Sequence, residues 1–269
     1  MEYTLLFLGI LFTLFFAFNV VVEPIYAYFF RKPIYIHFYL FPKRLSFVQL
    51  DILQQQFEFY QKLKPKQKQY FEHRVATFIN KYPFYGKEGI EVTDEMKVLI
   101  SATAVMLTFG MRRFTFDVID KIIVFPDVYY SAMNENYHKG EFNPLIKAIV
   151  FSWKHFKEGY KITTDNLNLG LHEFGHVLHY QGLKSTDTSS TIFSVTYDEI
   201  MQQVKHPPNH KRLVESNYFR IYAYTNDFEF IAVILEHFFE TPNQFQAEFP
   251  ELYLKVKTMI NYNPELIRL

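Results

Sequence analysis

Between Glu2 and Glu23 the chain runs from Tyr3 to Val22 without a charged residue, and the run is broken only by Thr4, Gly9, Thr13 and Asn19. In hydrocarbon every backbone N–H and C=O needs an internal partner, so such a run crosses a bilayer only as a helix. At 1.5 Å per residue it reaches about 30 Å, the thickness of the hydrocarbon core. The alternative is a cleaved signal peptide. Against it, no basic residue precedes the run, the apolar stretch exceeds an ordinary signal core, and no small-x-small site closes it. The expectation is an uncleaved transmembrane anchor over residues 1–23, contacting the lipid bilayer. Positive charges follow at Arg31, Lys32, Lys43 and Arg44, so the positive-inside rule places the C-terminal side in the cytoplasm. Residues 24–45 read as a juxtamembrane segment. Within it Ile34 to Phe41 is too short to span; it is either an interfacial segment or the first strand of the soluble domain, and a strand is expected.

Residues 46–269 read as one domain, without linker, repeat or low-complexity segment. Phe47, Leu50, Ile52, Leu53, Phe57 and Tyr60 recur at nearly 3.6 residues and predict a helix over Ser46 to Leu63. Pro65 opens a second helix toward Tyr82. Thr93 caps a third, Glu95 to Thr108, which ends at Gly110. The period then changes: Lys121 to Phe125 and Ala148 to Trp153 are β-branched and aromatic runs that predict short strands. Further helices are expected near Asn166 to Tyr180, Ser194 to Val204, Asp227 to Glu240 and Phe249 to Ile260. The sum is an α+β domain, mainly helical, with a small β-sheet. Lys62, Lys64, Lys66 and Lys68 mark either a lipid-facing basic patch or a solvated helix junction.

The 28 Lys and Arg balance the 28 Asp and Glu, so no global positive field recruits nucleic acid, and no nucleic-acid partner is expected. The chain has no cysteine, which removes disulfides, thiolate metal sites and cysteine nucleophiles together. A metal site here must use His, Asp or Glu. Leu171 to Tyr180 reads LHEFGHVLHY, so His172, Glu173 and His176 form H-E-x-x-H. On a helix, residues four apart share a face, so two imidazoles can serve one ion while Leu171, Phe174 and Leu178 turn inward. That set suits a zinc hydrolase: neutral nitrogens hold the ion, an open position holds water, and Glu173 takes its proton. The bare motif arises by chance in roughly 3% of chains of this composition. Catalytic zinc takes a third protein ligand. Glu229, in the first turn of an apolar helix that Asn226 or Asp227 can cap, is either that ligand or a capping carboxylate. Glu236, seven residues on, needs compensation if buried. His206 and His210 flank Pro207 and Pro208 and predict an exposed loop; His237 predicts a satisfied core or surface residue. No G-x-S-x-G, P-loop or G-x-G-x-x-G occurs, so serine-hydrolase, nucleotide-triphosphate and dinucleotide readings lack support.

HEFGH followed by Tyr222, Ala223, Thr225 and Glu229 as YAxTxxxE resembles the Mlc titration factor A family of zinc-dependent peptidases. Over the same two motifs it resembles the catalytic domain of anthrax lethal factor. The likeness to the titration factor family extends through the helix near Ser101 to Gly110, the strand ending in Ser152 and Trp153, and FFETPNQFQAEFPELY from Phe238 to Tyr253, or roughly Val92 to Asn263. The resemblance implies a zincin-like fold and a zinc ion (Zn2+) on His172, His176 and Glu229. It further implies Glu173 as general base and later general acid, and Tyr222 as donor to the oxyanion. Two positions depart: His179 stands where related enzymes commonly carry Asp, and Val233 where lethal factor carries a second Glu. The expected function is a membrane-anchored zinc metallopeptidase, a hydrolase acting on peptide or protein substrates, single-pass in a bacterial inner membrane with a cytoplasmic catalytic domain. One of the strands before the zinc helix, Ala148 to Trp153 being the better placed in sequence, is expected to align substrate by strand addition. The alternative, motivated by the family's name, is a regulatory binding protein that sequesters a transcriptional regulator or other cytosolic partner at the membrane.

Overall fold

The computed structural model describes residues 2–131, 135–162 and 164–263. The chain begins with one continuous helix: α1 (Glu2–Ala17), a π-helical turn at Phe18–Val22, and α2 (Glu23–Phe30). Pro24 has no N–H to give to the carbonyl four residues back, and the chain accommodates that gap with the wider turn just before it. From Tyr3 to Phe30 the helix has a mean hydropathy of 2.6 over its most apolar window, in which no residue is buried, and it is long and apolar enough to cross a membrane. Its far end is docked. Glu23, 1% exposed, accepts from Arg112 Nη1 through Oε2 at 2.7 Å and pairs with the same nitrogen through Oε1 at 2.6 Å, and Arg112 Nη2 donates to Thr188 Oγ1 at 2.9 Å. Arg31, whose left-handed backbone (φ 52°) ends the helix, pairs with Glu199 at 3.1 Å.

Residues 31–46 form neither helix nor strand, so the strand expected at Ile34 to Phe41 is absent. Its polar groups are taken by a side chain instead of a neighbouring strand. Arg74, fully buried, donates to the Tyr39 hydroxyl at 2.6 Å and the Ile36 carbonyl at 3.4 Å, and also to the carbonyls of Thr108, Phe109 and Met111. It thereby ties the segment after the first helix to the end of a core helix.

The helices then follow the expected order with sharper breaks: α3 (Phe47–Gln56), opened by a Ser46–Gln49 capping box; α4 (Glu58–Lys62); and α5 (Pro65–Lys81). The lysines at this junction face solvent, with Lys62 on Glu58 at 2.6 Å and Lys66 and Lys68 over the rings of Tyr70 and Tyr60. Next come β1 (Phe84–Gly86), α6 (Asp94–Leu107) capped by Thr93, β2 (Lys121–Phe125), β3 (Tyr129–Ser131), β4 (Asn136–His138), β5 (Gly140–Asn143) and β6 (Ala148–Ser152). They are followed by α7 (Trp153–Lys161), α8 (Leu169–Lys184), α9 (Thr188–Lys205), α10 (Pro207–Glu215), a 3-10 turn at Ile221–Tyr224, α11 (Asp227–Glu240), α12 (Pro242–Glu248) and α13 (Pro250–Met259). The loop expected around Pro207 is instead the start of α10, because proline at the first helical position loses only an N–H that has no partner there. His206 and His210 are exposed, as expected.

The sheet order is β1-β2-β6-β5, with β1, β2 and β6 parallel and β5 antiparallel to β6. β6 is central and buried at every position, while β5 is an edge. The expected alignment of substrate by β6 therefore fails: both of its sides are already paired. Against this sheet lies α8. Phe174 packs with Phe78, Phe116 and Phe151 at ring separations of 6.0, 6.1 and 5.6 Å, and Leu171 and Leu178 are buried beside it. This apolar face fixes the rotation of α8 and so turns the opposite face, with His172 and His176, toward α11. The whole is mainly helical with one small four-stranded sheet and a separate two-stranded hairpin among the described residues.

Arg74→Met removes the donors to three buried carbonyls, each costing about 1–3 kcal/mol when left unpaired. The expected loss of stability is about 3 kcal/mol or more, read by urea denaturation of the detergent-solubilised chain through the fluorescence of Trp153, its single tryptophan.

Candidate metal centre

The site is built where α8 crosses α11, and the crossing is close because both helices are small there. A Cβ on Gly175 would stand 3.2 Å from the Ala232 Cα, tighter than ordinary contact. Asn226 caps α11, its Oδ1 accepting from the Glu229 N–H at 3.0 Å, and this places Glu229 in the first turn with its side chain directed at α8. His172 Nε2 lies 3.2 Å from His176 Nε2 and 3.1 Å from Glu229 Oε2, and His176 Nε2 lies 3.6 Å from the same oxygen. Glu229 is thus not spent on capping.

These separations test whether a cation fits. Ligand bonds of about 2.0–2.1 Å at tetrahedral angles separate neighbouring ligand atoms by about 3.3–3.4 Å, and the three observed edges bracket that value. Lone-pair atoms gathered so closely in a nearly dry site repel one another unless protons or a cation lie among them. Glu229 Oε2 is buried without a hydrogen bond, so the donor set has the chemistry of a cation site.

The protonation states agree. Burial alone would lower His172, but Glu229, Glu236 and Glu173 together raise it to about 10. Burial and the neighbouring His172 charge lower His176 to about 4. Burial pushes Glu229 upward, yet His172, His176 and Tyr222 hold it below the ordinary carboxylate value.

Behind His172 stands a group of side chains that sequence reasoning only half anticipated. Glu236, 1% exposed, meets His172 Nδ1 at 2.7 Å. It also accepts from both terminal nitrogens of Arg220, at 2.6 and 3.0 Å, and from the Asn168 N–H at 3.1 Å. The compensation that a buried Glu236 requires is therefore met in full. Arg220 and Asn168 carried no signal in the sequence. No spacing rule links Arg220 to Glu236, and Asn168 fell inside the helix expected from Asn166.

Glu173 lies beside the cluster, 6% exposed, with Oε2 accepting from the Phe142 N–H of β5 at 2.9 Å. Burial raises it to about 7, partly offset by His172 and Phe142. The approach of α8 to this edge strand depends on Gly140, where a Cβ would meet Leu169 Cδ1 at 2.8 Å and Glu173 Cγ at 2.9 Å. Tyr222, on the 3-10 turn, is 47% exposed, with its ring 6.1 Å from that of His172. Burial and Glu229 raise its phenol to about 12. A cleft of about 400 Å³ opens beside His172 and Tyr222, bounded by Lys139, Leu167 and Arg220. All five residues singled out from the sequence thus meet in one place. His179 does not join them; it packs against Phe228 and Tyr197 at 4.2 and 4.4 Å, without a hydrogen bond to either ring nitrogen. His237 is a core residue against Tyr218 and Phe219.

The model of the glucose-regulated metallo-peptidase M90 family matches residues 41–260. This chain belongs to that family, the Mlc titration factor A family. The chain is also 25% identical over 224 residues to an uncharacterized protein of the cyanobacterium Synechocystis sp., the match covering 75% of this chain and 79% of that protein. M90 membership implies a metal ion, and the described residues that can hold one are His172, His176 and Glu229.

In the metal-free M90 protein one proton must leave His172 before a cation can take Nε2, while His176 and Glu229 are already deprotonated near neutrality. Metal affinity is therefore expected to rise about tenfold per pH unit from pH 7.5 to 9 and to level off above about 10. Competition titration against a zinc-buffering chelator measures the slope; a flat profile removes the proton from His172.

Proposed function

We propose that the chain is a zinc-dependent metallopeptidase with a zincin-like catalytic domain, held at a membrane by its first helix. The observation that carries this reading is the convergence of His172 Nε2, His176 Nε2 and Glu229 Oε2 within 3.1–3.6 Å, beside a buried carboxylate, in a chain of a metallopeptidase family. These three residues hold the zinc. When bound, the ion supplies Lewis acidity: it polarises the peptide carbonyl and makes a water molecule acidic near neutral pH.

The other steps belong to side chains. Glu173, raised to about 7 by burial, takes a proton from the attacking water and returns it to the departing amine, a transfer that is efficient when the acid's pKa is close to the working pH. Tyr222 remains a phenol up to about pH 12, so its hydroxyl is available to donate to the oxygen that gains charge. Glu236 and Arg220 hold the His172 ring with Nε2 turned toward His176 Nε2 and Glu229 Oε2, the set that would hold the ion. The cleft between Lys139 and Arg220 takes the substrate. The positive charges after the first helix support a cytoplasmic position for this domain. The partner-sequestering reading draws no support from the site, since it needs neither the converged ligands nor a carboxylate poised near neutrality.

The test is cleavage of a diverse peptide mixture by the full chain in detergent with zinc supplied. Glu173→Gln is expected to keep the metal and lose about 10²–10⁴-fold in kcat, and Tyr222→Phe about 10²–10³-fold with zinc retained. His172→Ala and Glu229→Ala are expected to lose the metal. Cleavage by Glu173→Gln at the wild-type rate, or by neither protein despite bound zinc, overturns the reading. Glu236→Gln is expected to weaken zinc binding about 10–100-fold, measured by the same chelator competition.

A further inference from the structure

The segment that follows the first helix is patterned inside out. His37 and Tyr39 point inward, where His37 stacks on Tyr70 with ring centroids 4.5 Å apart and Tyr39 takes the Arg74 hydrogen bond. Their apolar neighbours point outward: Phe38 is 69% exposed, Leu40 73% and Phe41 90%. Phe47, opening α3, is 86% exposed. A frayed tail would expose such residues trivially, but this segment is fixed. The fully buried Arg74 holds the Ile36 carbonyl, and the Lys43 N–H donates to His73 Nδ1 at 2.7 Å. A rigid backbone that spends its polar side chains on the core and presents large apolar ones outward is matched to a surrounding that is not water.

We propose that the segment from Ile34 to Val48 is a second membrane-contact surface, seated in the interfacial region of the leaflet that the first helix reaches with its C-terminal end. This rests on the membrane-spanning reading of that helix. Three features point to lipid. The segment is continuous with the helix, beginning three residues beyond the left-handed Arg31 that ends it. The helix is clamped to the domain through Glu23 and Arg112. Only the stretch before Glu23 is then free to fill the hydrocarbon, and Tyr3 to Val22 suffices for about 30 Å. The chain just beyond the clamp therefore lies at headgroup depth. Finally, the outward set is aromatic and aliphatic and is flanked by exposed Lys32, Lys43 and Arg44, the composition that suits the boundary between acyl chains and anionic headgroups. The domain then rests on the bilayer at two places, which fixes its tilt as well as its distance.

The absence of cysteine makes a direct test available. Single substitutions Phe38→Cys, Phe41→Cys and Phe47→Cys in the full chain, all at exposed positions, are spin-labelled and placed in nanodiscs of mixed zwitterionic and anionic phospholipid. Accessibility to oxygen, which concentrates in lipid, is compared with accessibility to a water-soluble nickel chelate. Leu8→Cys reports the helix and Leu254→Cys, 54% exposed on α13, reports water. The expected result is an oxygen-to-nickel ratio at 38, 41 and 47 several-fold above that at 254. Ratios equal to that at 254 while Leu8→Cys reads as lipid overturn the second contact and leave the spanning helix standing. An aqueous Leu8→Cys removes the spanning reading and this one with it. Protection from both reagents at 38, 41 and 47 means that another protein copy covers the face, and also overturns the proposal.

Discussion

A carboxylate buried in an apolar helix is tolerated only if every lone pair finds a donor, and Glu236 is the residue on which this condition presses hardest. Its partners come from three places in the chain: His172 on α8, Arg220 just before the 3-10 turn, and the Asn168 backbone at the start of α8. Satisfying Glu236 therefore fixes how α8, α11 and the turn meet. The same requirement explains why Gly175 faces Ala232: any larger pair would hold the helices apart, and the fork of Arg220 could not reach around Glu236 to lie 3.3 Å from His172 Nδ1. Once these elements are locked, the positions of His176, Glu229 and Tyr222 follow from helix and turn geometry alone.

The two carboxylates facing the centre behave oppositely, and the cause is environment, not residue type. Glu173 has one backbone donor and little solvent, so burial prevails and its proton is held to about pH 7. Glu229 faces two imidazoles and a phenol, and these outweigh its burial. A pair of identical groups driven apart in this way can divide the work of holding a cation and moving a proton.

What could be read from the sequence was what is local along the chain. His172, Glu173 and His176 were legible because helical spacing alone puts two of them on one face, and the hydrophobic period said which face was buried. Glu229 was legible as a helix-start residue, and its direction came from a family likeness. Thr93, Pro65 and the two strand runs at Lys121 and Ala148 were legible for the same local reasons. Arg220, Asn168 and the Phe142 N–H were not, because their roles exist only after distant elements pack. Sheet order was equally hidden: the β-branched run at Ala148 announces a strand but not that both of its sides are occupied, and the four residues of β5 carry almost no strand signal. Ile34 to Phe41 misled because a short aromatic run forms a strand only where a neighbouring strand exists, and Arg74, a single arginine in an amphipathic helix, takes its polar groups instead.

Glu23 shows how far the first helix and the domain belong to one design. A helix meant only to tether would end its apolar run with solvated residues and a flexible segment. Here the first charged residue after the run is buried against Arg112, a second pair follows at Arg31 and Glu199, and the chain beyond is clamped by Arg74 without an intervening linker. Swinging the domain freely about the helix would break both ion pairs and leave the buried Glu23 carboxylate without its partner, which is costly for a charge out of water. The attachment therefore acts as a bracket. If the first helix spans a membrane as proposed, the bracket sets which face of the domain meets the bilayer, and with it the direction from which the cleft beside His172 is approached.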